Sequence, residues 1–354
     1  MKSKRTSWKK LRLSYQIKRK LELFVLALVV VLSTVAVLGI LYLWQFFRTP
    51  FAEASGSFNH NPTFEKEKRY NLCLILLEDQ NDPLSHIKAI AIISLDPVKS
   101  GLSVISIPVD ASVEAAAGFG ENKIFSLYAL GGIPEPKMNV AMVTRSISSH
   151  LAIPIDAYVL TDEPGIEAFS LEMGNYFTLE EIESIFSFKY FPKIFTLLKL
   201  SRKNLRTNLN LVEVVRVLKF MFGVRSDRIN SLNLRREDLE DYEILDVALK
   251  PFVIDSKIAE ERLKVQVLNG TLKSGLASRA SRVANNLGSV VIDVGNAQNS
   301  SYKETILISN ETHSFTVKRI KEIFKVNRVR GSVGEIEKRA DITIILGLDF
   351  LHGL

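Results

Sequence analysis

Leu102-Ser-Val-Ile-Ser-Ile-Pro-Val-Asp-Ala-Ser112 is an apolar, β-branched run that breaks at Pro108 and releases the chain beside an acid, Asp110. A run of this kind reads as a strand. A strand ending in a proline-led loop is a place to mount polar chemistry, because the sheet aims the loop and the loop carries the charge. Here the residue beside the acid is aliphatic, Val109. Upstream, Asn71 to Leu77 and Ile87 to Leu95 are two more strand-like runs, the second closed by Asp96-Pro97 as a turn. The opening stretch is expected to be a central or near-central strand of the sheet they form. All three runs are almost continuously apolar, which fits strands covered on both faces by the helical segments that follow.

Downstream, Val140 to Leu151 reads as a helix with Val140, Val143, Ile147 and Leu151 on one stripe, and Ile155 to Leu160 returns to strand. Phe186 to Leu198 is apolar and aromatic. Leu211 to Phe222 is helical and apolar nearly all round, which calls for burial; a core helix is preferred over a lipid-binding one. Arg225, Arg228, Arg235 and Arg236 alternate with acids as a solvated face. Beyond Pro251 a polar connector leads to a compact second unit of alternating strands and helices: Val265 to Leu268, Gly275 to Leu287, Val290 to Val294, Thr305 to Ile308, Phe315 to Phe324 and Ile342 to Leu346.

Upstream of the first domain, Leu23 to Phe47 is 25 residues long without a formal charge. As a helix it would extend about 37 Å, enough to cross a bilayer with some tilt. Residues 1–20 hold nine Lys or Arg and no acid, leaving 37 basic against 39 acidic residues in the rest of the chain, so the net charge of +7 belongs to the tail. That distribution excludes a basic nucleic-acid-binding face. It also places the tail in the cytoplasm by the positive-inside rule, with Tyr42 and Trp44 at the opposite interface. Ala52-Glu53-Ala54 has the form of a signal-peptidase site, but the apolar run exceeds a usual signal core and an uncleaved anchor is preferred. The fold class is therefore α/β: a transmembrane helix, a mixed-sheet domain and a small α/β C-terminal domain. The divisions are a basic tail at 1–20, a span at 21–47, a linker at 48–69, the first domain at 70–250, a second linker at 251–262, and the last domain at 263–354.

Individual motifs give restrained signals. Cys73, the one cysteine, sits in an apolar run and reads as a buried thiol. Asn269-Gly270-Thr271, with Gly275 beyond, lies between a strand and a helix whose first amides are able to hold an anion. It lacks the Lys and Ser or Thr of a P-loop, so turn geometry is the preferred reading. The five histidines are scattered without metal-ligand spacing, and there is no Gly-x-Ser-x-Gly elbow.

The order of a basic tail, one span, Asn71-Leu-Cys-Leu-Ile-Leu, Ser94-Leu-Asp-Pro97, Ser106-Ile-Pro-Val-Asp110, Asn122-Lys-Ile, Tyr128, Gly131-Gly132 and Ile155-Asp-Ala-Tyr-Val resembles the LytR-CpsA-Psr family. The final unit is similar to that family's C-terminal domain through Val267-Leu-Asn-Gly-Thr271, Gly275-Leu-Ala-Ser-Arg279, Asp293-Val-Gly-Asn296, Ala340-Asp-Ile-Thr343 and Leu346-Gly-Leu-Asp-Phe350. The resemblance implies transfer of glycopolymers from a polyprenyl-pyrophosphate carrier to peptidoglycan, on the outer face of the membrane, assisted by Mg2+.

Departures from the family pattern fall on its charged centre. Val109 stands where the family has Arg, and His86 and Lys88 stand where it has an Arg and a metal-handling Asp. The later arginine-rich stretch is shortened to Arg202 and Arg206, while Asp110 and Lys123 persist. Each lost cation at a transferring phosphoryl group is worth about 10² to 10³ in rate. The expectation is a membrane-anchored envelope protein, its transferase domain catalytically impaired and retained to bind a carrier lipid, a glycopolymer or a wall partner. Asp110, Lys123 and Arg202 are the candidate catalytic residues; Lys88, Arg145, Asn269, Gly270, Thr271 and Arg279 are candidates for ligand binding. No resident cofactor is expected unless activity persists, when Mg2+ is. Two alternatives are an active ligase that recruits Lys88, Arg145 or Arg202, and a wall-binding scaffold acting through residues 263–350.

Overall fold

The computed structural model describes residues 33, 34, 37–39, 41, 45, 50–52, 62–134, 137–168, 204–327, 329–331 and 339–352. The chain divides into two units, Met1–Thr49 and Pro50–Leu354. In the first, the described residues are helical. Most of the expected span lies outside the described residues, among which no helix is long and apolar enough to cross a membrane.

The second unit is mixed α/β, as the residue pattern implies. Its larger sheet is built from β1 (Pro50–Ala52), β2 (Tyr70–Leu77), β3 (Ile87–Asp96), β4 (Gly101–Ile107), β7 (Ala157–Asp162), β8 (Arg206–Asn210) and β9 (Ile229–Asn233). The strand order is β1-β8-β7-β2-β3-β4-β9. β2–β3–β4 is an antiparallel meander; β7 joins β2, and β9 joins β4, in parallel. The opening stretch, as β4, is next to an edge, not near the centre: the short, largely exposed β9 completes the sheet beyond it. Its loop is held in place by a hairpin of β5 (Ser112–Ala115) and β6 (Gly120–Lys123), after which the Ile124 and Phe125 amides donate to the carbonyls of Ala111 and Val109 at 2.9 and 2.8 Å.

Alternation along the strands divides the apolar residues between two faces. Cys73, Ile75, Ile92 and Ile105 point to one face, covered by α2 (Asn139–Leu151), which follows the short α1 (Leu127–Gly131), and by α5 (Tyr242–Val253), which follows the short α4 (Arg236–Glu240). The expected α2 stripe of Val140, Val143, Ile147 and Leu151 is wholly buried there. Burial pushes the Cys73 thiol up to about 12, in keeping with an inert core cysteine. Tyr70, Leu72, Ile93 and Leu102 point to the other face, beneath α3 (Leu211–Gly223). Asn210 caps α3 by accepting from the Glu213 amide, and the buried Glu213 carboxylate accepts the Phe64 amide at 2.8 Å. Order therefore begins upstream of Tyr70: β1 pairs with β8, Phe64 packs on the core, and Lys68 and Arg69 are buried, all within the stretch expected as a spacer.

The expected polar connector after Pro251 is the end of α5 followed by α6 (Ser256–Glu261), capped by Asp255. The C-terminal part is a five-stranded sheet, β11-β10-β14-β12-β13, from β10 (Lys264–Asn269), β11 (Val290–Asn296), β12 (Ile306–Ser309), β13 (Val329–Arg330) and β14 (Ile342–Leu346). Its core closes with α7 (Leu276–Asn286) and α8 (Phe315–Ile323). A buried ionic cluster joins the two parts. Arg319 of α8, 2% exposed, donates to Asp156 at 3.3 Å, to Glu322 at 3.0 Å and to the Arg69 carbonyl at 3.3 Å. Lys68 also contacts Glu322, while the Arg69 guanidinium reaches Asp96 at 2.7 Å and Ser94 at 2.9 Å.

Candidate functional site

Among the described residues the second face of the large sheet is not packed solid. Between β2, β3, β4, β7 and β8 on one side and α3 on the other lies a cavity of about 830 Å³, in the upper part of the range for small-molecule sites. Its α3 wall is Val214, Val217, Leu218 and Met221, an i, i+3, i+4, i+7 stripe. The sheet contributes Leu72, Leu74 and Leu76 from β2 and the small side chains Ala89 and Ala91 from β3. Following β2 from Leu72 to Leu76, the channel is about 13 Å long at ~3.3 Å per residue. The all-round apolarity of α3 now has its reason: one side seals the core and another lines a hollow.

Polar groups gather at one end. Lys88, Asp110 and Thr161 stand where β3 begins, β4 has ended and β7 ends. Ser106 and Thr207 lie part-way in, and the Thr207 hydroxyl is engaged by the Tyr158 carbonyl at 2.6 Å. Lys88 is the extra residue of a β-bulge, since Leu76 pairs with Ala89 and Leu77 with Ile87. The bulge turns its ammonium to Glu163, 3.2 Å away. Val109, half-buried, lines the channel and packs against the opposite core, closing the rim with aliphatic surface. Its neighbour Asp110 is exposed at the mouth. His86 is also exposed, 3.6 Å from Glu78.

Of the residues singled out in the sequence, Lys88 and Asp110 are brought to the channel. Lys123 is exposed at the end of β6 and does not line it. Arg145 lies on α2, against the opposite face of the sheet, where its charge, after burial, depresses the Lys325 ammonium pKa. Arg202 and the Phe186 to Leu198 segment fall outside the described residues. Asn269 and Thr271 spend their polar atoms on each other: the Asn269 Oδ1 accepts the Thr271 amide and hydroxyl at 3.0 and 2.9 Å. At Gly270 a Cβ would come within 2.7 Å of the Leu346 carbonyl, so this position serves a close backbone approach. Arg279 pairs with Glu114 of the β5–β6 hairpin, beside a cleft of about 230 Å³ shared with His150, Tyr242 and Arg282.

For the Mg2+ implied by the resemblance, Asp110 is the carboxylate that lines the channel mouth among the described residues, and Mg2+ is ordinarily held by one or two carboxylates together with substrate phosphates. Among the described residues no three His, Cys, Asp or Glu side chains converge to hold a metal ion. Asp162, the buried acid nearest the channel mouth, has its carboxylate engaged by the Gly165 amide at 2.8 Å and the Gln80 amide at 3.1 Å. The residues missed in the sequence are Val159, Ala89, Ala91 and the α3 stripe. Only the apolar excess of α3 offered a signal.

Fold and site define the class: an α/β protein with a long apolar pocket in its first part and a separate small sheet in its second. That second part, residues 262–350, matches the family described as LytR cell envelope-related transcriptional attenuator, so the chain carries a LytR C-terminal domain. Comparison with solved structures finds the Bacillus subtilis transcriptional regulator yvhJ, at 20% identity over 48% of this chain and 84% of that one, with a TM-score of 0.34. B. subtilis TagV is similar at 16% identity over 52% and 98%, with a TM-score of 0.40. The LytR-CPS2A-psr family protein YwtF (TagT), also from B. subtilis and solved with bound octaprenyl pyrophosphate lipid, is similar at 14% identity over 56% and 97%, with a TM-score of 0.33. No curated protein sequence matches the chain.

Proposed function

We propose that this is a single-pass envelope protein, anchored by residues 21–47 with its N-terminus in the cytoplasm and the domains outside. In this reading the domain at 70–250 holds a long-chain lipid between its sheet and α3, and its transfer chemistry is impaired. The observation that carries it is the channel of about 830 Å³, apolar along its length and polar at one end. That is the shape of an amphiphile, with walls for a chain and a few polar groups for a head. The reading of impairment is supported by the rim, where Val109 offers no donor and the one lysine among the described lining residues, Lys88, has Glu163 3.2 Å away. The domain at 263–354 acts as an accessory that directs the first toward a polyprenyl-linked glycopolymer or peptidoglycan; nucleic acid is not a partner. The test is mass spectrometry of lipid retained by the full-length protein in nanodiscs. A long-chain lipid retained at about one per protein is expected, and retention no greater than that of a protein lacking the channel overturns the reading. With a pyrophosphate-linked glycopolymer and peptidoglycan, turnover is expected at least ~10²-fold below that of a relative with the full motif. Comparable turnover would overturn the impairment.

A further inference from the structure

A second hollow lies away from the channel, where the C-terminal part meets the first part, and it owes nothing to the lipid reading. This cleft of about 230 Å³ is walled by Glu114 of β5, Ser149 and His150 of α2, Tyr242 of α5, and Ser278 and Arg279 of α7. Arg282, also in the wall, is spent on structure. It donates to both oxygens of Asp246 at 2.8 Å and to the His150 carbonyl at 3.1 Å, and it stacks on Tyr242, 4.0 Å from the ring centre. Arg279 is placed differently. It forms an ion pair with Glu114 in which 43% and 56% of the two side chains are exposed, and a surface pair of this kind adds little to stability, so both charges are open to a ligand.

An adjoining cation and anion set the charge of what fits beside them. A lone carboxylate drawn to Arg279 is repelled by Glu114, and a lone ammonium meets the reverse. A ligand carrying both charges one carbon apart lies alongside the pair with opposite polarity and satisfies each. Neighbouring groups suit the same two ends. α7 begins after Gly275 with no side-chain cap and no acid in its first turn, so its first amides, which lack intrahelical acceptors, favour a carboxylate near Arg279. His150, 8% exposed, donates its Nε2 to the Leu239 carbonyl, which leaves Nδ1 an acceptor with no protein partner among the described residues, suited to an ammonium. The volume lies below the range for drug-sized ligands and limits the occupant to a few heavy atoms. We propose that the cleft binds a small zwitterionic α-amino acid, its carboxylate on Arg279 and the α7 amides, its ammonium on Glu114.

The experiment is equilibrium dialysis of labelled alanine, as each enantiomer, against the full-length protein in nanodiscs, with N-acetylalanine and alaninamide as arms that each carry a single charge. Saturable binding of at least one enantiomer is expected, about tenfold or more tighter than either singly charged arm. Glu114→Gln is expected to weaken alanine about tenfold and remove its advantage over N-acetylalanine, and Arg279→Gln to remove its advantage over alaninamide. Both side chains are exposed, so neither variant should alter the near-UV circular dichroism. No saturable binding of either enantiomer up to about 10 mM would overturn the inference and leave the ion pair as a brace between the two parts. Alanine bound no more tightly than its singly charged forms would overturn it equally.

Discussion

Removing the Arg319 guanidinium tests whether the C-terminal domain is clamped or merely tethered. The side chain is 2% exposed and holds Asp156 at 3.3 Å and Glu322 at 3.0 Å. Burial opposes its charge, but Asp156 and Glu322 more than restore it, so its pKa lies above the ordinary value. Deleting one partner of such a cluster leaves an uncompensated charge indoors, at a cost of about 3–5 kcal/mol. Here Lys68 remains 3.8 Å from Asp156 and in contact with Glu322, which points to the lower end, about 3 kcal/mol. At ~2 °C per kcal/mol for a unit of this size, Arg319→Met should lower Tm by about 6 °C while keeping most of the apolar stem packed. Both tryptophans, Trp8 and Trp44, lie outside the second unit, so the assay is near-UV circular dichroism of buried tyrosines such as Tyr70 and Tyr158. Combined with Asp156→Asn, the double variant should show a coupling of roughly 1–2 kcal/mol. A loss under about 1 kcal/mol with no coupling would refute the clamp and restore an autonomous C-terminal module.

His150 is buried, with its Nε2 donating to the Leu239 carbonyl at 3.0 Å; burial first, and then the Arg282 charge, hold its pKa below the ordinary 6.5. The folded state thus binds fewer protons than the unfolded one, so the stability from neutral His150 is full above pH 6.5 and is lost as pH falls through the window down to the folded pKa. His150→Gln should flatten Tm against pH in that window, and an unchanged slope would count against the assignment. Ala91→Phe, projecting from the channel floor, should remove retained lipid as read by mass spectrometry while shifting Tm by only a few degrees; undiminished lipid would place the ligand elsewhere. Gly270→Ala brings a Cβ within 2.7 Å of both the Leu346 carbonyl and the Tyr302 ring. It should cost about 1–3 kcal/mol in denaturant unfolding, and no loss would refute the close-approach role.

Local pattern was sufficient wherever a run served a single purpose. The β-branched stretch Leu102 to Ile107 and the α2 stripe appear as read, within a residue or two at their ends. Polar strands were invisible because nothing apolar marks them. β9 is Ile-Asn-Ser-Leu-Asn, and β5–β6 is a short hairpin whose signal lay only in Gly118 and Gly120, both at positive φ. The connector after Pro251 looked loop-like from composition, yet Asp255 before Ser-Lys-Ile-Ala-Glu-Glu is a helix cap, and the helix is held by burying Ile258. At the site, Val109 and Asp110 were legible as the loop that follows β4 and lines the channel mouth. The hollow beside them was not, because a cavity is a distance between elements and leaves no residue of its own in the chain.

The hollow also constrains what the loss at Val109 means. Exposed apolar walls of this kind carry a standing hydrophobic cost that any apolar cover relieves. A sheet with no ligand to serve gains by filling such a space with larger side chains. Yet β3 turns Ala89 and Ala91 toward it, while β2 on the neighbouring strand supplies leucines. The rim residues Val109 and Asp110 and the residues that hold the channel open, Ala89, Ala91 and the α3 stripe, are separate sets. Small side chains on one strand facing a helical apolar stripe keep room for a bulky apolar occupant, so the width of the channel and the chemistry of its rim are set by different residues and are open to separate substitution.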